Sequence, residues 1–462
     1  MTIALVSDPT QPAPQPSPPA VRFPDQVRRI VGATIVPEPG IQLDDAEISF
    51  HTGTGVIDYL GPVRGPARPE DLDARGRIVA PGLVNGHTHS SMTLLRGWCD
   101  DLPLDLWLAQ MRRFEVRMTA ADIRAGLRLA MVEMLRSGTV GFVDMFSWNA
   151  QLLGDVVDAG MRVRASPGVF GYGAVAFPMA EPEAGGVVLD EVPALAAEFA
   201  GEPRITMDYG LHAPYTCPPE LIADVARRAV DRDLGVQIHL SETRREVAQS
   251  LADHGLSPIA HVAGLGLFDT RLHVAHAVHP EPGDIALLAR PDVTVSHNPV
   301  SNLKLGAGIA PVPDYLAAGV TLGLGTDSVA SNNTLDMFEE IKTGALVQRG
   351  LHTDPLALSA PAVLSMATRG GARSLSQGLS GRLAVGEQAD LVVLDGTGVT
   401  ASPNGDAGSF LGYAARGTDV TDVVIAGRQV VADRVVLTVD EEAARLDVRE
   451  RVTRVRGELD AR

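Results

Sequence analysis

The sequence predicts an α/β chain: a (β/α)8 TIM-type barrel carrying a small β-sandwich domain assembled from both chain ends. Three observations carry this reading. Apolar, strand-like stretches alternate with helical ones across residues 81–380. β-rich segments of one texture flank that middle on both sides. The polar residues of the middle gather at the C-terminal ends of its strands, where a barrel keeps its active site. A doubly wound open sheet competes for the same alternation, and the gathering of polar residues favours the barrel.

In chain order, residues 1–22 begin "MTIALVSDPTQPAPQPSPP". This Pro-rich stretch lacks the basic start of a signal peptide and predicts a disordered tail. "RRIVGATIVP", "AEISFHTG" and "GVIDYLGPV" follow as short β segments separated by Gly, Pro and Asp. The texture returns in "GRLAVGEQADLVVLD" and "DVTDVVIAGRQVVADRVVL", so residues 23–80 plus 381–440 are expected to form the small domain. Between them stand eight strand candidates: "RIVAPGLVNGHTH", "TVGFVDMF", "MRVRASPGVF", "ITMDYGLHAP", "GVQIHLSE", "LHVAHAVH", "VTVSHNP" and "VTLGLGTDS". "AADIRAGLRLAMVEMLRSG" and "PPELIADVARRAVDRD" are typical of the helical stretches between them. Residues 441–462, acidic first and arginine-rich later, predict a closing helix.

Composition narrows the function classes. The 462 residues are 45% hydrophobic and carry a net charge of −18, which argues against a nucleic-acid partner. No apolar run approaches the ~20 residues needed to span a bilayer. Two cysteines, Cys99 and Cys217, imply no disulfide framework and fit a reducing cytoplasm.

Chemistry concentrates at the strand ends. His87 and His89 end the first strand, and alternation points both into one cavity. His212 ends the fourth strand, His239 and Glu242 the fifth, His276 the sixth and Asp327 the eighth. For His87, His89, His239 and Asp327 together, a core role requires four coincidences at one barrel mouth. Imidazoles with a carboxylate suit Zn2+ or Fe2+, not calcium or magnesium. The only lysines are Lys304 and Lys342, neither on a middle strand, so no carboxylated lysine can bridge two ions and one metal is expected. Glu242 is then the best proton shuttle, with Asp327 and His276 able to orient a water. His297 ends the seventh strand without an obvious partner and reads as a core histidine.

"PGLVNGHTHSSMTLLRGWCDDLPL", "HAPYTC", "IHLSET", "SHNPVSNLKLGAGIAPV" and "LGTDSVASNN" closely resemble the amidohydrolase superfamily. Within it they look most like the S-adenosylhomocysteine/5′-methylthioadenosine deaminase branch. The resemblance implies one catalytic zinc held by His87, His89, His239 and Asp327, and hydrolytic deamination of an adenine-type ring. It further implies that Glu242 protonates a ring nitrogen, His276 helps to position the water, His212 hydrogen-bonds the purine and Glu115 holds the ribose hydroxyls. It also implies a small-molecule nucleoside substrate and a homo-oligomer.

One departure bears on the substrate. Pro167 stands where S-adenosylhomocysteine deaminases place a carboxylate-binding arginine, and no Arg or Lys occurs between Arg164 and Arg204. The 5′ end is therefore expected to be small, neutral or apolar, because a carboxylate without a partner in a pocket is strongly disfavoured. Two rivals remain: hydrolysis of a ribose-free heterocycle (a triazine, a pterin or 8-oxoguanine) on the same scaffold, and a catalytically inactive binding barrel.

Overall fold

The computed structural model describes residues 26–171, 174–175, 185–403 and 405–461. The tail expected over residues 1–22 lies outside them. The barrel strands are Leu83–Thr88, Thr139–Phe146, Arg162–Gly171, Ile205–Leu211, Gly235–Leu240, Arg271–His276, Val293–His297 and Thr321–Leu324. They pair in parallel, each with the next. Most are buried along their whole length, which is why they read as continuous apolar runs rather than as alternation. The first and last strands meet through side chains. Asn85 Nδ2 donates to Thr326 Oγ1 at 2.7 Å, and Thr326 N donates to Asn85 Oδ1 at 3.0 Å. Asp327 N reaches the His87 carbonyl at 2.9 Å, so closure of the barrel and placement of two candidate ligands are one event.

The stretch "RIVAPGLVNGHTH" is two strands, not one. Arg77–Pro81 belongs to the small sheet and Leu83–Thr88 to the barrel, with the handover at Gly82. A Cβ at Gly82 would lie 2.2 Å from Val140 Cγ1, so only glycine lets the chain pass between the two bodies there.

The small domain is one nine-stranded mixed sheet built from both chain ends. Leu391–Asp395 pairs antiparallel with Arg77–Pro81 and joins the two halves. Its core draws Ile48 and Ile57 from one end of the strand order and Val424 from the other, so the sheet curls over its own apolar face.

The helices have local causes. Ala120–Arg136 starts at a capping box made by Thr119 and Asp122. Pro219–Arg232 buries Leu221, Ile222, Val225, Ala226 and Ala229, a stripe at helical spacing, and ends on left-handed Asp233. The closing helix, Glu441–Asp460, lies against Ala120–Arg136, where Arg451 and Arg454 both pair with buried Asp122. It therefore extends the barrel's outer layer. No helix among the described residues is long and apolar enough to cross a membrane.

Candidate active site

The barrel mouth brings His87, His89, His239 and Asp327 together, all buried. His89 Nδ1 lies 2.6 Å from the Met145 carbonyl oxygen and His239 Nδ1 2.6 Å from that of His212. A carbonyl only accepts, so each Nδ1 carries the proton and each Nε2 offers its lone pair. Those atoms converge. His239 Nε2 is 3.2 Å from His87 Nε2, and Asp327 Oδ1 is 3.3 Å from His89 Nε2 and 3.7 Å from His87 Nε2. Burial, with the neighbouring imidazoles, pushes His87 and His239 well below the usual histidine range, which keeps both neutral. Electron pairs this close repel one another unless a cation stands among them. A tetrahedral zinc with bonds of ~2.0–2.1 Å sets neighbouring donors ~3.3–3.4 Å apart. The donor set and its spacing fit one such ion.

Beside these ligands stand the two candidate proton carriers. Glu242 is buried, and burial raises its carboxyl above the ordinary range. Its Oε1 lies 3.9 Å from His276 Nδ1. His276 Nδ1 is 2.9 Å from Asn302 Oδ1, and the ring comes close enough to His87 and His239 to form a second convergent group with them. Burial disfavours the charged form of His276, but the Glu242 and Asp327 carboxylates outweigh it and raise its pKa.

His212 and Glu115 are the candidate substrate contacts. The His212 ring packs edge-on against Phe170, centroids 4.7 Å apart, and its Nδ1 is 2.9 Å from Thr216 Oγ1. Burial first, then nearby histidines, lowers it to about 3, so it stays neutral. Glu115, the last residue of helix Leu104–Glu115, is buried with no hydrogen bond to its carboxylate among the described residues, and burial raises it to about 7. Arg112, one turn earlier, places its guanidinium 5.6 Å from the Phe170 ring centre.

Several residues that sequence reasoning left without a role hold this arrangement. Ser301 Oγ donates to Asp327 Oδ2 at 2.6 Å and Ser331 Oγ to the same oxygen at 3.1 Å. Asn302 holds His276. Ser301 and Asn302 come from "SHNPVSN" and Ser331 from "ASNN", so the signal was a motif without geometry. His297 is buried as expected, but neither ring nitrogen has a partner among the described residues. His273 bridges Thr294 and the Gly86 carbonyl inside the barrel. Lys304 pairs with Asp100 at 2.6 Å.

Residues 78–430 match the model of the amidohydrolase family. The chain belongs to that family. It is 41% identical over 433 residues to a 5-methylthioadenosine/S-adenosylhomocysteine deaminase of Moorella thermoacetica, covering 92% of this chain and 98% of that one. Its identity to the corresponding deaminase of Desulforudis audaxviator is 42% over 427 residues, with 89% and 95% covered. Among solved structures, an adenosine deaminase from Xanthomonas campestris with bound zinc is 34% identical with a TM-score of 0.87, covering 93% and 98%. A zinc complex of atrazine chlorohydrolase from Arthrobacter aurescens (24% identical, TM-score 0.81, covering 92% and 100%) shares the fold.

Proposed function

We propose that this amidohydrolase converts an adenine-type nucleoside to its inosine-type product and ammonia, with adenosine, 5′-deoxyadenosine and methylthioadenosine as the candidate substrates. The observation that carries the reading is Glu242: a buried carboxyl, raised by burial, beside converging metal-ligand atoms. Relatives about 40% identical over most of the chain act on such nucleosides by name. Zinc or ferrous iron held by His87, His89, His239 and Asp327 would lower the pKa of a bound water to about 7.

The chain's own groups supply the rest. Glu242, whose carboxyl is raised by burial, is placed to give a proton to the ring nitrogen beside the carbon that carries the amine. Of the water's two protons, one passes by way of His276 or Asp327 to the amine, which leaves as ammonia when the C–N bond breaks. The other returns to Glu242 as the C=O bond forms; Ser301 and Ser331 fix Asp327. His212, neutral, reaches the purine, and Glu115 accepts the ribose hydroxyls. We also read the chain as a cytoplasmic homo-oligomer, which sizing by light scattering tests in its second part.

For the 5′ end we keep the small, neutral reading. Arg164 is fully buried on Asp208 and cannot serve a substrate. Arg112 is exposed at the rim, and the rate on S-adenosylhomocysteine relative to adenosine decides its part. A slow rate supports the reading. An equal rate that falls selectively in Arg112→Gln would assign the substrate carboxylate to Arg112 and overturn it. A rival reading, a ribose-free amine as substrate, predicts that Glu115→Ala leaves kcat/KM unchanged.

A further inference from the structure

We infer that Glu246 is a positioning residue for the proton donor: it holds the corner of chain that aims Glu242. Glu246 lies in the first turn of helix Arg244–His254, and its side chain turns back towards the end of the fifth barrel strand. Oε1 accepts the backbone N–H of Ser241 at 2.8 Å and Oε2 that of Glu242 at 2.7 Å. One buried carboxylate thus closes two consecutive amides, both of which would otherwise be left unpaired past the strand end.

The corner needs such a clamp. Ser241 has φ +51°, a left-handed conformation that is strained for a residue with a Cβ. Its carbonyl meanwhile accepts from both Val278 N, at 3.0 Å, and His279 N, at 2.9 Å. Those amides follow His276 and Ala277, themselves left-handed at +74° and +44°. Two bends, one carrying Glu242 and one carrying His276, are therefore locked into each other. Glu246 is the side chain that fastens the first of them. Its own carboxylate faces backbone amides, which assigns it no contact with substrate.

This inference rests on the reading of Glu242 as the proton donor. A double-mutant cycle on the metal-loaded enzyme separates the two. Glu246→Gln is nearly isosteric, but its amide NH2 must face one of the two N–H groups, so one hydrogen bond is replaced by a repulsive contact. The expected result is a fall in kcat of about 10- to 100-fold with KM within about 3-fold and metal content unchanged. In a Glu242→Gln background, the same substitution should cost less than about 3-fold, because its route to the reaction is gone.

Equal losses in both backgrounds would show that Glu246 does not act through Glu242 and would overturn the inference. So would loss of the metal in Glu246→Gln, which would mark a structural role around His239, or a kcat equal to that of wild type. If Glu242→Gln itself retained full activity, the reading of the proton donor would fail instead. Should the Glu242→Gln rate fall below detection, the kcat, KM and metal values of Glu246→Gln alone still decide.

Discussion

At Glu115 the proposed ribose contact would couple stability to binding. Burial lifts its carboxyl from 4.5 to about 7, so the folded state holds a proton that the unfolded chain releases near 4.5. For an acid with a raised folded pKa, stability is full below the unfolded value and is lost as pH rises from about 4.5 to about 7. Glu115→Gln should therefore raise the melting temperature at pH 8 and leave it nearly unchanged at pH 4.5. The gain should not exceed about 3 kcal/mol, the equivalent of the shift. Catalysis should respond the other way. The ionised carboxylate is the better acceptor for ribose hydroxyls, so KM for a nucleoside should fall as pH rises through about 7. In Glu115→Gln that dependence should vanish, which KM measured from pH 5.5 to 8.5 checks. At Glu242, replacement by Gln should lower kcat by about 100- to 10,000-fold without metal loss.

At the scale of elements, the site depends on how tightly the turn after the first strand is seated. Ser90–Leu95 continues directly from His89 and packs on helix Ala120–Arg136. A Cβ at Gly126 would come 2.2 Å from the Ser91 carbonyl oxygen and 2.6 Å from Leu94 Cδ1. Backbone cannot give way cheaply there, so Gly126→Ala should destabilise by roughly 1–3 kcal/mol and weaken metal retention, read by denaturant midpoint and metal analysis. The elements themselves were largely legible. "TVGFVDMF" is the strand Thr139–Phe146 to the residue, because fully buried β-branched and aromatic runs have few alternatives. The division at Gly82 was not legible, since an uninterrupted apolar run carries no mark of passing from one sheet to another. Nor were Ser301, Asn302 and Glu246, whose roles exist only once neighbouring loops are brought together.

For the whole molecule, one dependence stands out. The candidate ligand set draws on the first, fifth and eighth strands, and the first and last close the barrel through Asn85, Thr326 and the Asp327–His87 bond. An ion bound there joins the two ends of the barrel, so it should stabilise the fold by mass action. Removing it with a chelator should lower the melting temperature, and adding Zn2+ back should restore it. Unchanged melting would mean that the cluster holds no ion in solution. The cluster of His87, His89, His239 and Asp327 was legible in the sequence because HxH and the later strand-end residues each sit at a predictable place. The role proposed for Glu115 rests on resemblance, since a lone glutamate near a helix end carries no signal of its own.

If a buried acid beside one metal deaminates an adenine nucleoside, removing that acid should abolish the reaction. The most direct test is ammonia release by the zinc-loaded enzyme and by Glu242→Gln. The panel is adenosine, 5′-deoxyadenosine, methylthioadenosine, S-adenosylhomocysteine, adenine, 8-oxoguanine and melamine. Turnover of the first three, lost in the variant, is the predicted result. Turnover confined to a ribose-free amine, or ammonia release equal in the variant and the wild type, would contradict it.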